Sequence, residues 1–184
     1  FIYSNLGAVH RDLKQYEEAL RYYGKALAIR EALNDKSGLA ILYNNIGVVY
    51  EVQRQYEKAL EYYRKAVEIH EALGEAPGLS HSYTGIGAIY LAQGRPEIGR
   101  PYFLKALIAA RQLGAYDRLR EIYSFLAATD SALAASGQPG YWKSAFEYAR
   151  LHHAYSDSVV NEEAIRKQTQ LEKQYEYEKK IALL

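Results

Sequence analysis

The chain has 184 residues, of which 49% are apolar, enough for one domain or a short array of stacked units with a sizeable core. Its charges nearly cancel, at net +1, which argues against a nucleic-acid or membrane-surface role driven by bulk electrostatics. It has no cysteine, so thiol catalysis, disulfides and cysteine-based zinc sites are excluded, and no run approaches the roughly 18 apolar residues of a membrane helix. There is no signal peptide or initiating Met, and Phe1 already lies inside a repeat; the expectation is a fragment of a longer protein.

A set of residues returns at a spacing of 40. It reads Tyr3, Leu6, Gly7, His10, Tyr16, Ala19, Tyr23 and Ala26, then Tyr43, Ile46, Gly47, Tyr50, Tyr56, Ala59, Tyr63 and Ala66. The third copy is eroded: Tyr83, Ile86, Gly87, Tyr90, Gly94, Gly99, Phe103 and Ala106. A fixed period of this size marks a repeat architecture. In the first unit the pattern predicts helix A up to about Leu13 and helix B from about Tyr16 to Leu33. The short Lys14-Gln15 connection makes such neighbours antiparallel. Gly7, Gly47 and Gly87 each sit mid-helix, where Gly costs roughly 1 kcal/mol relative to Ala, so close backbone approach is expected there. Small Ala positions beside large Tyr23, Tyr63 and Phe103 are how two helices interdigitate.

Asn34-Asp35-Lys36-Ser37-Gly38 and Gly74-Glu75-Ala76-Pro77-Gly78 are stop-and-start signals ending the first and second units. In the third unit Arg95-Pro96 opens helix B acceptably, whereas Pro101 should bend or delay it for want of an N–H. The fourth unit diverges. Tyr123, Leu126 and Ala127 fit helix A, Asp130 replaces an aromatic, and residues 134–140 lengthen the turn. Helix B then resumes with Trp142, in the role of Tyr16, and Ala145. Terminal units of an array are usually atypical. From Val159 the chain turns to Glu, Lys, Gln and Arg, with a thin apolar stripe of Val160, Ala164, Leu171, Tyr175 and Ile181. That spacing suits a helix with a narrow seam, which either lies back on the last unit or pairs with a second copy.

The order aromatic, aliphatic-Gly, aromatic, then Ala, aromatic, Ala resembles the tetratricopeptide repeat over roughly residues 1 to 113. The two-helix HEAT unit is also about this long but lacks the Tyr/Gly/Ala set. The resemblance implies an all-α fold, a right-handed superhelical solenoid of antiparallel helix pairs with an extended C-terminal helix. The expected array is 1–158, with units of about 1–36, 37–76, 77–115 and a divergent 116–158; 159–184 is a charged helix, a coiled coil or a linker to a further domain.

Chemistry-bearing motifs are few. There is no His-Glu-x-x-His pair, no phosphate-cradling glycine loop and no Gly-x-Ser-x-Gly turn. His10 replaces Tyr50 and Tyr90 and reads as a packing residue; His70, late on helix B, is expected at the surface. His152 and His153 are adjacent on a helix, about 100° apart, and cannot easily share a metal. No catalytic residue, metal or cofactor is therefore expected; an enzyme with a site around His152, His153, Asp157 and Glu163 is the remote alternative.

The A helices of tetratricopeptide arrays line a concave groove that holds peptides or partner helices. By position, the resemblance places Ser4, Asn5, Ala8, Arg11 and Asp12 on it, then Ile41, Asn44, Asn45, Val48, Glu51 and Val52. The third unit adds His81, Thr84, Gly85, Ala88 and Leu91, and the fourth Glu121, Ser124, Phe125 and Ala128. Asn5, Asn44 and Asn45 stand out, because Asn can donate to and accept from a peptide backbone; the alternative is hydrogen bonding to the neighbouring helix or to water. The Lys/Arg clamp of chaperone-binding members is absent, its positions being Ser4, Ala8, Asn44, Thr84 and Ala88.

The stretch from Ala145 through Asn161-Glu162-Glu163 to Tyr175-Glu176-Tyr177-Glu178-Lys179-Lys180 is similar to the junction following tetratricopeptide arrays in bacterial sensor histidine kinases of the Bacteroidetes type. This implies a non-catalytic docking or sensory region of a bacterial signalling protein, cytoplasmic or extracytoplasmic, with any kinase beyond Leu184. The expected partner is a protein or peptide, with no nucleic acid and no membrane insertion of this segment; homodimer formation through the last helix is the alternative to its folding back on the last unit. The alternative is a free-standing scaffold whose last helix caps the array.

Overall fold

The computed structural model describes residues 1–158 and 169–175. They form an all-α structure with eight helices, α1 (Ile2–Asp12), α2 (Tyr16–Ala32), α3 (Lys36–Val52), α4 (Tyr56–Leu73), α5 (Ala76–Ala92), α6 (Pro96–Leu113), α7 (Tyr116–Ala135) and α8 (Tyr141–Ser158), followed by helical residues 169–175. No strand occurs among the described residues. The chain divides into two compact units, Phe1–Leu113 and Gly114–Leu184.

The turns of the first unit follow one chemical plan. Lys14, Asn34, Arg54, Gly74 and Gly94, twenty residues apart, all adopt φ between 51° and 70°. At each, the next amide reaches back across the helix end: Gln15 N–H to His10 O, Asp35 to Arg30, Gln55 to Tyr50, Glu75 to His70 and Arg95 to Tyr90, all at 2.8–2.9 Å. With the shorter bonds such as Lys14 N–H to Arg11 O, these are Schellman caps that satisfy carbonyls a helix end leaves unpaired. Each cap reverses the chain, so consecutive helices pack as antiparallel pairs.

In the first unit α1, α3 and α5 lie side by side, and α2 and α4 each pack on the A helix of their own pair and on the next one. Ala19, Tyr23 and Ala26 of α2 meet Leu42, Ile46 and Val49 of α3. Ala59, Leu60 and Tyr63 of α4 meet Ile86, Ile89 and Tyr90 of α5. The mid-helix glycines are places of close approach, as expected. A Cβ at Gly7, Gly47 or Gly87 would lie 2.5, 2.9 or 2.8 Å from the rings of Tyr23, Tyr63 and Phe103, respectively. Tyr63 also covers Gly85 of the next pair, so one buried ring ties α4 to both α3 and α5.

A second ladder runs along the same period and was not singled out from sequence. Tyr22 stacks between Tyr3 and His10, Tyr62 lies between Tyr43 and Tyr50, and Tyr102 between Tyr83 and Tyr90. Lys25, Lys65 and Lys105 each lie over two of these rings, within 6.0 Å of the centroids. His10 is thus a packing residue, and it also bonds Gln15 at 2.6 Å.

Two expectations are corrected in α6 and α8. Pro101 lies inside α6, which still begins at Pro96 and is not delayed. One lost N–H is outweighed by the burial of Phe103, Ala106, Leu107 and Ala110. Trp142 is 55% exposed; in the second unit Ala145, Tyr148, Leu151 and Tyr155 provide the buried face of α8. There Tyr123 stacks on Tyr148 and tilts against Tyr155, and buried Asp130 accepts a hydrogen bond from Ser144. Among the described residues 169–175, Glu172 meets this pair, accepting from the hydroxyls of Tyr123 and Tyr155. The rest of the expected stripe, Val160, Ala164 and Ile181, lies outside the described residues.

Candidate functional site

Between the N-terminal halves of α3 and α5 lies a cleft of about 460 Å³, lined by Ser37, Ile41, Asn44, Asn45, His70, Glu75, Pro77, Gly78 and His81. Four expected groove residues meet here: Ile41, Asn44, Asn45 and His81. Ile41 is 52% exposed and supplies an apolar wall; Asn45 is half-buried, and its side chain makes no hydrogen bond among the described residues. His81 sets its ring edge-on to Tyr63, which fixes that wall to the α4 core.

Asn44 takes the structural alternative. It is 5% exposed, its amide nitrogen faces His70 Nε2 at 3.3 Å, and its oxygen accepts from Ser82 Oγ at 2.7 Å. Position 84, its counterpart, is also turned inward: Thr84 is buried and donates to Ser80 O at 2.7 Å. Asn44, although at the cleft edge, is spent on inter-helix bonds and Thr84 on a bond within α5, because the A helix turns this position inward. The remaining candidates do not converge on the cleft. Asn5 is exposed, Arg11 pairs with Asp12 at 2.8 Å, and Glu51 accepts from Tyr63 Oη at 2.6 Å. Val48 packs against the α4–α5 core, Leu91 is half-buried on α5, and half-buried Phe125 belongs to the second unit.

Replacing Asn44 with Ala is expected to cost about 1–3 kcal/mol, because His70 Nε2 and Ser82 Oγ would lose a buried partner. Asn45→Ala is expected to leave stability unchanged or raise it by a few tenths of a kcal/mol, since Ala is the better helix former and no bond is lost. Thermal melts of the two variants check the contrast.

The cleft floor contains a residue that sequence reasoning placed wrongly. His70 is 1% exposed, not at the surface, because the turn after α4 carries α5 directly over it. A Cβ on Gly78 would lie 2.2 Å from its ring. His70 Nδ1 donates to Glu75 Oε2 at 2.8 Å, and Ser37 lines the same cleft. Ser37, His70, Glu75, Pro77 and Gly78 were all missed, although the register held a signal. Arg30, Asp35 and Gly38 stand 40 residues earlier and form the same latch, with Arg30 paired to Asp35 and a Gly38 Cβ that would collide with both side chains.

The Ser37 hydroxyl and then His70 hold the Glu75 carboxyl below its ordinary 4.5, and the Gly38 N–H and then Arg30 hold Asp35 below 3.8. Depressed folded values contribute stability that is fully present above the ordinary values and lost as pH falls through the folded ones. The melting temperature should therefore fall with pH below 4.5, and the double variant Asp35→Asn, Glu75→Gln should flatten that limb in a melt series.

Among the described residues no group of three or more His, Asp or Glu is placed to hold a metal. His152 Nδ1 donates to Arg120 O at 3.0 Å and its ring packs edge-on to His153. Glu163 lies outside the described residues.

Side-by-side A helices thus form a cleft, with small-aromatic-small B helices behind them. Residues 1–72 match the tetratricopeptide repeat family. No curated protein matches the chain in sequence. Among solved structures, BtubC (BKLC) from P. vanneervenii is similar with a TM-score of 0.71 at 20% identity, over 84% of this chain and 63% of that one. Aspartyl phosphate phosphatase F from Bacillus subtilis is similar with a TM-score of 0.69 at 17% identity, over 94% of this chain and 49% of that one. At such identities the likeness is one of fold, and this chain spans less than two thirds of either length. The tetratricopeptide repeat is a protein-interaction fold, and among the described residues no helix is long and apolar enough to cross a membrane.

Proposed function

We propose that the chain is a non-catalytic protein-interaction module that holds a peptide segment or partner helix in the α3–α5 cleft, as the docking region of a larger bacterial signalling protein. One observation carries this reading. The cleft combines an exposed apolar wall at Ile41 with an Asn45 side-chain amide that no group among the described residues occupies, so a peptide could bury a side chain and bond its backbone in the same place. The test is selection of peptides from a random dodecamer display library on the full chain. Ile41→Asp should abolish binding of the selected peptides without changing the melting temperature; equal binding to that variant would sink the assignment.

A second reading, a free-standing adaptor whose tail caps the array, is favoured by the bonds from Tyr123 and Tyr155 to Glu172. Capping predicts a monomer by light scattering for the full chain and for a chain ending at Ser158. A dimer that becomes a monomer on truncation would instead support pairing of the tail with a second copy and a transmitting role.

A further inference from the structure

The two latches of the first unit differ in one respect that alters the cleft. Arg30 and Asp35 form a closed ion pair, because a guanidinium is always charged. In the second latch His70 replaces the arginine. His70 Nδ1 donates to Glu75 Oε2 at 2.8 Å, and its Nε2 lies 3.3 Å from the Asn44 amide. Glu75 is thus a carboxylate oriented by a single imidazole N–H rather than clasped by a guanidinium. Its side chain is 34% exposed and lines the cleft beside Ile41, Pro77 and His81. Asp35 lies close enough to be felt by Glu75, but Arg30 already neutralises it.

We propose that this cleft selects a peptide segment in which an apolar side chain stands next to a lysine or arginine, the apolar group resting on Ile41 and Pro77 and the cation set against Glu75. This deepens the groove reading above and rests on it. A carboxylate oriented beforehand needs no rearrangement to receive a cation, and the low-dielectric walls of a cleft strengthen the attraction relative to an open surface. An acidic segment in the same place would meet like charge.

Positional-scanning hexapeptides, N-acetylated, C-amidated and fluorescently labelled, test this on the full chain and on Glu75→Gln by anisotropy. Gln keeps an acceptor for His70 while removing the charge. The wild-type chain should favour Lys or Arg beside Leu, Ile or Phe, and that preference should shrink as salt is raised. Glu75→Gln should weaken the best basic peptide by about tenfold and leave its Gln-substituted counterpart unchanged. Peptides bound without regard to charge, or with a preference for Asp or Glu, would overturn the cation site while leaving the groove reading intact. Failure of every hexapeptide to bind at millimolar concentration would overturn both.

Discussion

Tyr63→Ala is expected to destabilise the first unit by about 3–5 kcal/mol, the range for truncating a large buried ring, and to lower its melting temperature by about 10 °C or more. The ring is fully enclosed, seated on Gly47 of its own pair and on Gly85 of the next, with its hydroxyl donating to Glu51 at 2.6 Å. Neither glycine has a side chain to move into the void, so the site cannot collapse without shifting α3 or α5. The cleft sits between those two helices, and His81 leans on the same ring. Loss of peptide binding should therefore accompany the loss of stability. Tyr63→Phe keeps the ring and should cost only about 1–2 kcal/mol, the worth of a hydrogen bond to a carboxylate. Chemical denaturation of both variants gives the comparison. A Tyr63→Ala protein within about 1 kcal/mol of wild type, the net worth of one hydrogen bond, would show that the pairs are not tied through this residue.

Gly78→Ala is the second large effect, and here two contributions oppose each other. Ala is favoured over Gly in a helix by about 1 kcal/mol. The added Cβ would lie 2.2 Å from the His70 ring, which is buried and held on both nitrogens by Asn44 and Glu75. A ring fixed at both ends cannot step aside, so overpacking wins and a net loss of about 2–3 kcal/mol is expected. Gly24→Ala is the matched control. Nothing lies within 4 Å of its Cβ, so only the helix preference acts and a gain of about 0.5–1 kcal/mol is expected. Combining Gly78→Ala with His70→Ala should cost less than the sum of the two singles, because the second change removes the obstacle met by the first. Additive costs would mean that Gly78 is needed for some reason other than His70.

Much of the fold was legible because the repeat is dense in residues with a single physical role. Gly7, Gly47 and Gly87, opposite Tyr23, Tyr63 and Phe103, announced helix pairs in close contact, and those rings sit on those glycines. The turns were legible only in part. Gly74 and Gly94 mark left-handed positions openly, but Lys14 and Arg54 hold the same conformation with residues that seldom adopt it, so only the twenty-residue register points to them. The tyrosine ladder through Tyr22, Tyr62 and Tyr102 recurs at the same period as the core set. Each member is half-buried and polar at its tip, so it carries none of the signal of a core position.

The cleft shows the same division. Ile41, Asn45 and His81 could be placed by position on an A helix, because a helix face follows from spacing alone. Asn44 sits one residue from Asn45 on that helix, and the 100° between them separates a group facing the cleft from one spent on His70 and Ser82. The His70–Glu75 contact depends on the turn: residues five apart meet only because the Schellman cap folds the chain back across the helix end. The comparison of positions 30, 35 and 38 with 70, 75 and 78 was the available clue.

The most direct test of the interaction role is a backbone amide NMR titration of the full chain with a peptide from the dodecamer selection. Binding in the cleft predicts shifts concentrated at Ile41, Asn45, Gly78 and His81, with the amides of Tyr22, Tyr62 and Tyr102 unmoved. Shifts confined to the tyrosine ladder or to the second unit, with the cleft amides still, would contradict it.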